Sequence, residues 1–297
     1  MLKNPTKINI LSDGLGSCGY SIIESIWHHA FPNCEIIHDE LKHPNLVIKS
    51  HFQNVEKRNY KCPYILFSGE PYRVSPNDYL PICEMNCFIH PNTFYVPFFS
   101  YAYISSSNTF LTTSRTPVKR EYMLSYVNRH AVIEREQVFK AFRLKYPTLC
   151  HGLGKCQTTR GKQLTNKNWA ETHQFIRDYT CHIAMENTNK AGYITEKLFN
   201  AYKADCVPIY WGGDGYTDYF INEETYIDCK KFANIEKLME HTWNIHHDIQ
   251  KKAQYFSKPV GKKPIFDYLD IINKPTDDLP KWINPIISKL RESFPDL

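Results

Sequence analysis

Apolar and polar positions alternate with a period near two over residues 7–11, give way to the turn-rich stretch 12–19, and then take helical spacing over 20–31. This reads as strand, turn, helix. Extended stretches follow at 36–37, 46–48, 64–67, 86–90 and 94–99. The polar run 105–108 and the segment 112–119, with its Ser-Arg-Thr-Pro, make the best linker candidate. Beyond it the pattern restarts: strand 122–127, helix 134–146, a glycine-bearing turn at 150–155, strand 181–185, helix 195–204 and buried strand 207–211. A last helix is expected over about 279–293, packing back across the halves. Strands that alternate with helices imply parallel sheets, so the economical reading is two α/β halves around a cleft.

Length agrees with that reading, because a single core stops growing near ~250–300 residues and the chain has 297. The expected division is 1–117, 118–275 and a tail helix at 276–297. The net charge of +5 is modest and the Lys and Arg are scattered, which argues against a nucleic-acid tracking surface. The densest cluster is Lys251, Lys252, Lys258, Lys262 and Lys263. It reads as a solvated helix end, with contact to an anionic membrane as the sharper alternative. The ten cysteines contain no CxxC pair, which argues against structural zinc. No signal-peptide core opens MLKNPTKINILSDG, and no run of about 18 apolar residues occurs. The expectation is a cytoplasmic chain with free thiols and no transmembrane segment.

Two motifs compete for a nucleotide. Gly14-Leu15-Gly16-Ser17-Cys18-Gly19 satisfies G-x-G-x-x-G between a predicted strand and helix, and Asp39 and Glu40 follow the next strand, where a ribose-binding carboxylate would sit. Taken alone, this would make an NAD- or FAD-dependent oxidoreductase. The plainer reading is a tight strand-to-helix turn, since glycine also serves turns that need positive φ.

The second motif, CHIAMENTNKAGYITEKLFNAYKADCVPIYWGG at 181–213, is longer. Its strand delivers Glu186 and Asn187, a loop carries Gly192 and Tyr193, and Thr195 can cap a helix whose first turn holds Glu196 and Lys197. Amides at that terminus, with Asn187, Tyr193 and Lys197, would suit a diphosphate, and Glu196 could accept sugar or ribose hydroxyls. Gly212-Gly213 would let a ligand approach closely. The bland alternative is a capped helix between two strands.

This second stretch resembles the signature of the α-1,3-fucosyltransferase family: a strand ending Glu-Asn-(Ser/Thr), then Tyr-x-Thr-Glu-Lys, a helix, and Val-Pro-(Ile/Val) before a glycine. Asn187, Tyr193, Thr195, Glu196, Lys197, Pro208 and Gly212 fall in place. The segment 119–128 is similar to the family's basic-aromatic strand ending in Asn. Arg135, followed by Val138, Phe139 and Phe142, resembles the arginine that contacts the donor diphosphate. Ser68-Gly69-Glu70-Pro71 is similar to the strand end that supplies the family's catalytic base, with Pro71 where the family has Asn.

The resemblance implies a GT-B architecture, with acceptor on the first half and GDP-fucose on the second. It implies inverting transfer of fucose to an acceptor glycan, α-1,3 to GlcNAc or a similar sugar. Glu70 would be the base; Arg135 and Lys197 would hold the leaving diphosphate; Asn187, Tyr193, Glu196 and Glu186 would complete the donor site. No Asp-x-Asp pair occurs, so no tightly bound metal is expected and Mn²⁺ or Mg²⁺ is left an assisting role. A non-catalytic sugar- or nucleotide-binding relative is the remaining alternative.

Overall fold

A computed structural model describes residues 6–14, 17–39, 42–50, 62–72, 81–102, 104–159, 171–271 and 280–297. Leu15, Gly16, Glu40 and the start of the expected tail helix lie outside the described residues. The strands are β1 (Thr6–Asp13), β2 (Cys34–Ile37), β3 (Leu46–Ser50), β4 (Tyr64–Ser68), β5 (Cys83–Asn86), β6 (Phe94–Tyr95), β7 (Tyr122–Tyr126), β8 (Cys150–Gly152), β9 (Tyr179–Ile183), β10 (Val207–Tyr210) and β11 (Ile227–Asp228). The helices are α1 (Ser17–Ala30), α2 (Phe98–Tyr101), α3 (Ile133–Lys145), α4 (Thr172–Ile176), α5 (Glu196–Lys203), α6 (Thr217–Phe220), α7 (Ile235–His247), α8 (Ile249–Gln254), α9 (Lys263–Phe266) and α10 (Asn284–Ser293).

The chain divides into two compact units, Met1–Ser105 with Asp267–Leu297, and Ser106–Phe266. The first holds a six-stranded sheet in the order β2-β1-β3-β4-β5-β6, with parallel pairings throughout. Strands β3 and β4 are buried along their whole length, as central parallel strands covered on both faces must be. Helix α1 lays Ile22, Ile23, Ile26, Trp27 and Ala30 on the core at helical spacing. The C-terminal helix α10 joins the same core through Ile286, Ile287 and Leu290. Arg291 fastens it by donating from Nε to the Ala30 carbonyl at 2.9 Å.

The second unit holds a five-stranded sheet, β11-β10-β9-β7-β8, again with parallel pairings. The polar stretch read as a linker is tied into this unit. Val260 and Gly261 donate backbone N–H to Phe110 and Leu111, and Arg115 stacks over Phe256 at 4.1 Å from the ring centroid. Lys252, expected in solvent, is buried and donates to the Val118 carbonyl at 2.8 Å. Lys258 and Lys262 pair with Glu224 and Glu223, so the lysine run is not a free basic patch.

Three local expectations change. The strand expected at 86–90 lies at β5 instead, because Cys83–Asn86 pairs with β4 and the chain leaves the sheet at Cys87. The apolar run 94–99 splits at Pro97 into β6 and α2, since proline cannot donate within a ladder. The turn at 150–155 begins as a parallel edge strand, β8, beside β7. The nine described cysteines are free thiols, and among the described residues no helix is long and apolar enough to cross a membrane.

Candidate functional site

In the second unit β7 leads to β8 on one side, and β9 then starts on the other side of β7. The two loops leaving the carboxyl ends of β7 and β9 therefore diverge. Ligands of open α/β sheets bind in the crevice this creates. The residues singled out at 135 and 186–197 collect at this switch point.

Arg135 lies on the stripe of α3 that also carries Val138, Phe139 and Phe142, and that stripe faces the core. The helical spacing that marked it in the sequence is thus also the reason it is buried, at 1% exposure. Its Nη1 donates to Asn187 Oδ1 at 2.8 Å and to the Met185 carbonyl at 3.4 Å, and Nη2 donates to the His130 carbonyl. These bonds clamp the loop after β9 to the loop after β7. Its Nε is buried without a hydrogen-bond partner, as is the Asn128 Nδ2 just past β7.

Glu186 is the hub of the other half. Fully buried, its carboxylate accepts from Thr195 N and Thr195 Oγ1, each at 2.7 Å, from Lys197 Nζ at 3.1 Å and from Tyr210 hydroxyl at 3.4 Å. Thr195 was expected to cap α5 through its own side chain. Instead it makes no side-chain cap, and its hydroxyl is spent on Glu186. Burial pushes the Glu186 carboxyl up, opposed by Lys197 and the two Thr195 donors. Burial also pulls the Lys197 ammonium down, but Glu186 and Glu196 outweigh it and leave its pKa raised. We take the pair as ionised, because a carboxylate with four donors around it has its desolvation offset. Lys197 remains 14% exposed at its side chain, with Glu196 Oε1 at 3.8 Å.

Gly212 does not open the site to a ligand as expected. A Cβ there would stand 2.5 Å from Glu186 Cγ and 2.8 Å from the Tyr210 hydroxyl, so the missing side chain is the room Glu186 occupies. Gly192 (φ 74°) and Gly213 (φ 71°) adopt left-handed backbone and join their loops through Gly192 N to Gly213 carbonyl at 3.1 Å. Asn189 and Asp214 exchange hydrogen bonds across the same two loops, a contact the sequence reading missed because the partners stand far apart along the chain. Tyr193 is buried beside them at 2% exposure.

Glu70 stands in the first unit, two residues past β4, and is half-buried. Ser68 Oγ holds its backbone, accepting from Glu70 N at 3.3 Å. The glycine-rich turn of the first unit follows β1. Gly14 is left-handed (φ 73°) and its carbonyl accepts from Ser50 Oγ at 2.5 Å, while the Asp39 carboxylate pairs with Lys42 at 3.1 Å. Among the described residues no group of three or more His, Cys, Asp or Glu is placed to hold a metal.

Residues 117–259 match the family model described as glycosyltransferase family 10 (fucosyltransferase), C-terminal part. The chain is 30% identical over 95 residues to the α-(1,3)-fucosyltransferase FucT of Helicobacter pylori, covering 32% of this chain and 19% of that protein. It is 32% identical over 83 residues to an α-(1,4)-fucosyltransferase of Arabidopsis thaliana, covering 28% and 20%. The match therefore spans about a fifth of the length of these curated relatives. A solved α1,3-fucosyltransferase with GDP superposes with TM-score 0.64 at 16% identity, covering 100% of this chain and 92% of that one. The same enzyme class with GDP-fucose gives 0.63 at 16% identity over 98% and 91%. At that identity the likeness is one of fold, the GT-B class with two Rossmann-like sheets.

Proposed function

Since residues 117–259 match the glycosyltransferase family 10 (fucosyltransferase) model, we propose that the chain is a member of that family and transfers L-fucose from GDP-fucose to a hydroxyl of an acceptor glycan, with inversion. The observation that carries this is the pair of buried clusters at the switch point of the second sheet, Arg135–Asn187 and Glu186–Lys197. There Lys197 would neutralise the charge that grows on the departing diphosphate, in a setting dry enough to make the cation count. Arg135 would add its positive charge and hold Asn187 in place, while Tyr193 and Glu196 complete the donor pocket. Inversion needs a base on the opposite face of the sugar, and Glu70 is the candidate that takes the acceptor proton. The α-1,3 linkage to a GlcNAc-like sugar, an assisting role for Mn²⁺ or Mg²⁺, and a cytoplasmic setting belong to the same reading.

The test is Glu70→Gln, read by both binding and turnover. GDP-fucose affinity should stay within about twofold, while transfer falls by about 10²–10⁴-fold, the usual worth of a general base. Transfer within a few-fold of the parent chain would remove Glu70 from the mechanism.

A further inference from the structure

Away from the switch point, the second unit carries an open cavity of about 840 Å³ at the β11 edge of its sheet. That size falls within the ~300–1,000 Å³ typical of small-ligand sites. Strand β11 stands two strands from β9, about 10 Å along the sheet, and the cavity lining shares no residue with the cluster at 135 and 186–197.

One wall is aromatic. Phe232 packs on His241 with ring centroids 5.2 Å apart, and His241 meets Tyr255 edge-on at 6.2 Å. His241 Nε2 and the Tyr255 hydroxyl share a hydrogen bond of 2.6 Å, which fixes both rings. A second wall is planar and polar: Gln250 and Gln254, one turn apart on α8 and exposed, line the cavity with Asp228 of β11.

Charge decides what such a cavity takes. Glu224 is bridged to Lys258 at 2.5 Å and Glu223 to Lys262 at 3.1 Å, which leaves Asp228 against Lys231. The rim is balanced, and among the described residues no arginine lines it. A phosphate or nucleotide would find no clamp, and a cation no excess of carboxylate. An aromatic face beside amide and carboxylate groups suits a ring that is apolar on one face and hydroxylated at its edge. Tyrosine and its neighbours serve such amphipathic contacts, and amides both donate and accept.

We propose that this cavity is a second saccharide site, which binds a neutral oligosaccharide against Phe232 and Tyr255 with Gln250, Gln254 and Asp228 on its hydroxyls. Saccharide binding as such is independent of the transferase reading. That the saccharide is the distal arm of the acceptor rests on it.

The experiment titrates the whole chain with N-acetyllactosamine and with chitotriose, by calorimetry and saturation-transfer NMR. Both are taken to about 10 mM, where a site with Kd near 1 mM is mostly filled. Binding of either sugar is expected. Phe232→Ala should weaken it about tenfold, and the exposed double variant Gln250→Ala/Gln254→Ala should do the same without touching the core. Both should keep GDP affinity within about twofold. If the site holds the acceptor's distal arm, the double variant raises KM for an extended acceptor and leaves a monosaccharide acceptor unchanged. No binding of either sugar at that concentration, or binding unchanged in the double variant, overturns the proposal. Sugar binding without any GDP binding would instead overturn the transferase reading and leave this site standing.

Discussion

The two units are built on one plan. Read from its other edge, the second sheet runs β8-β7-β9-β10-β11, the same sequence of crossings as β2-β1-β3-β4-β5 in the first. Each sheet therefore reverses direction beside its first strand, and each opens a crevice at the carboxyl ends there. In the first unit that crevice is bounded by Gly14, whose carbonyl takes the Ser50 hydroxyl, and the glycine loop contributes no basic side chain. In the second it is bounded by Arg135, Asn187, Glu186 and Lys197, joined by the clamp and the ion pair. Shared topology gives both units the same crevice. Buried, mutually oriented charge distinguishes the second, and the proposed function would use it to hold an anion.

The largest difference should appear in stability. Glu186→Gln keeps the shape but strips the charge that balances Lys197, and it leaves Thr195 and Tyr210 with a weaker acceptor. Breaking a buried pair in this way costs about 3–5 kcal/mol. Ser50→Ala, the matching change at the first crevice, removes the bond to the Gly14 carbonyl and should cost about 1 kcal/mol. Urea unfolding followed in each unit by hydrogen exchange would measure both. Equal losses at the two sites would mean that the Glu186 hub carries no special weight.

Ligand affinity gives the next largest effect. Lys197→Met should weaken GDP binding by about 10–100-fold, which is about 1.4–2.7 kcal/mol, and leave guanosine nearly unchanged because the lost contact is to phosphate. Gly14→Ala forces a side chain into left-handed backbone at φ 73° and should cost about 1 kcal/mol of stability, with no change in GDP affinity. NAD should not raise the melting temperature of the parent chain. Saturable NAD binding that Gly14→Ala abolishes would reverse the contrast between the two crevices.

How much of this could be read from the chain alone follows physical lines. The segment around Glu186 to Lys197 was legible because strand, loop, helix start and charged pair are consecutive, and local order sets them. Arg135 was legible as a special residue, but its burial was not drawn from the stripe it shares with Phe139 and Phe142. The reason for Gly212 was out of reach, since it depends on Glu186 in another loop. Strand β5 begins three residues before the expected stretch 86–90, and it carries two buried polar residues, Glu84 and Asn86. In the fold the two meet, Asn86 Nδ2 donating to Glu84 Oε1 at 3.1 Å in the buried interior. The attachment of α10 to α1 joins opposite ends of the chain, and no local pattern encodes that pairing.

The units should also differ in acid sensitivity. His182 on β9 lies fully inside the second sheet, with Nδ1 2.8 Å from the hydroxyl of its register partner Ser125 on β7. Burial pulls its pKa down to about 3. His246 on α7, against Thr180, falls to about 4, mainly by burial and then through His247 and Lys252. Both are neutral in the fold but protonate near 6.5 when unfolded. Their contribution to stability is therefore whole above about pH 6.5 and is lost as pH falls toward the folded values, by up to about 1.4 kcal/mol per pH unit for each group. Among the described residues the first unit holds one buried histidine with a lowered pKa, His29, and it lies on α1 rather than between the switch-point strands. Between pH 7 and pH 5, amides of β7 and β9 should lose more exchange protection than those of β1 and β3. His182→Gln should flatten the slope in the second unit and leave the first unchanged. A loss of protection as steep in β1 and β3, or one that survives His182→Gln undiminished, would show that these buried imidazoles do not set the difference.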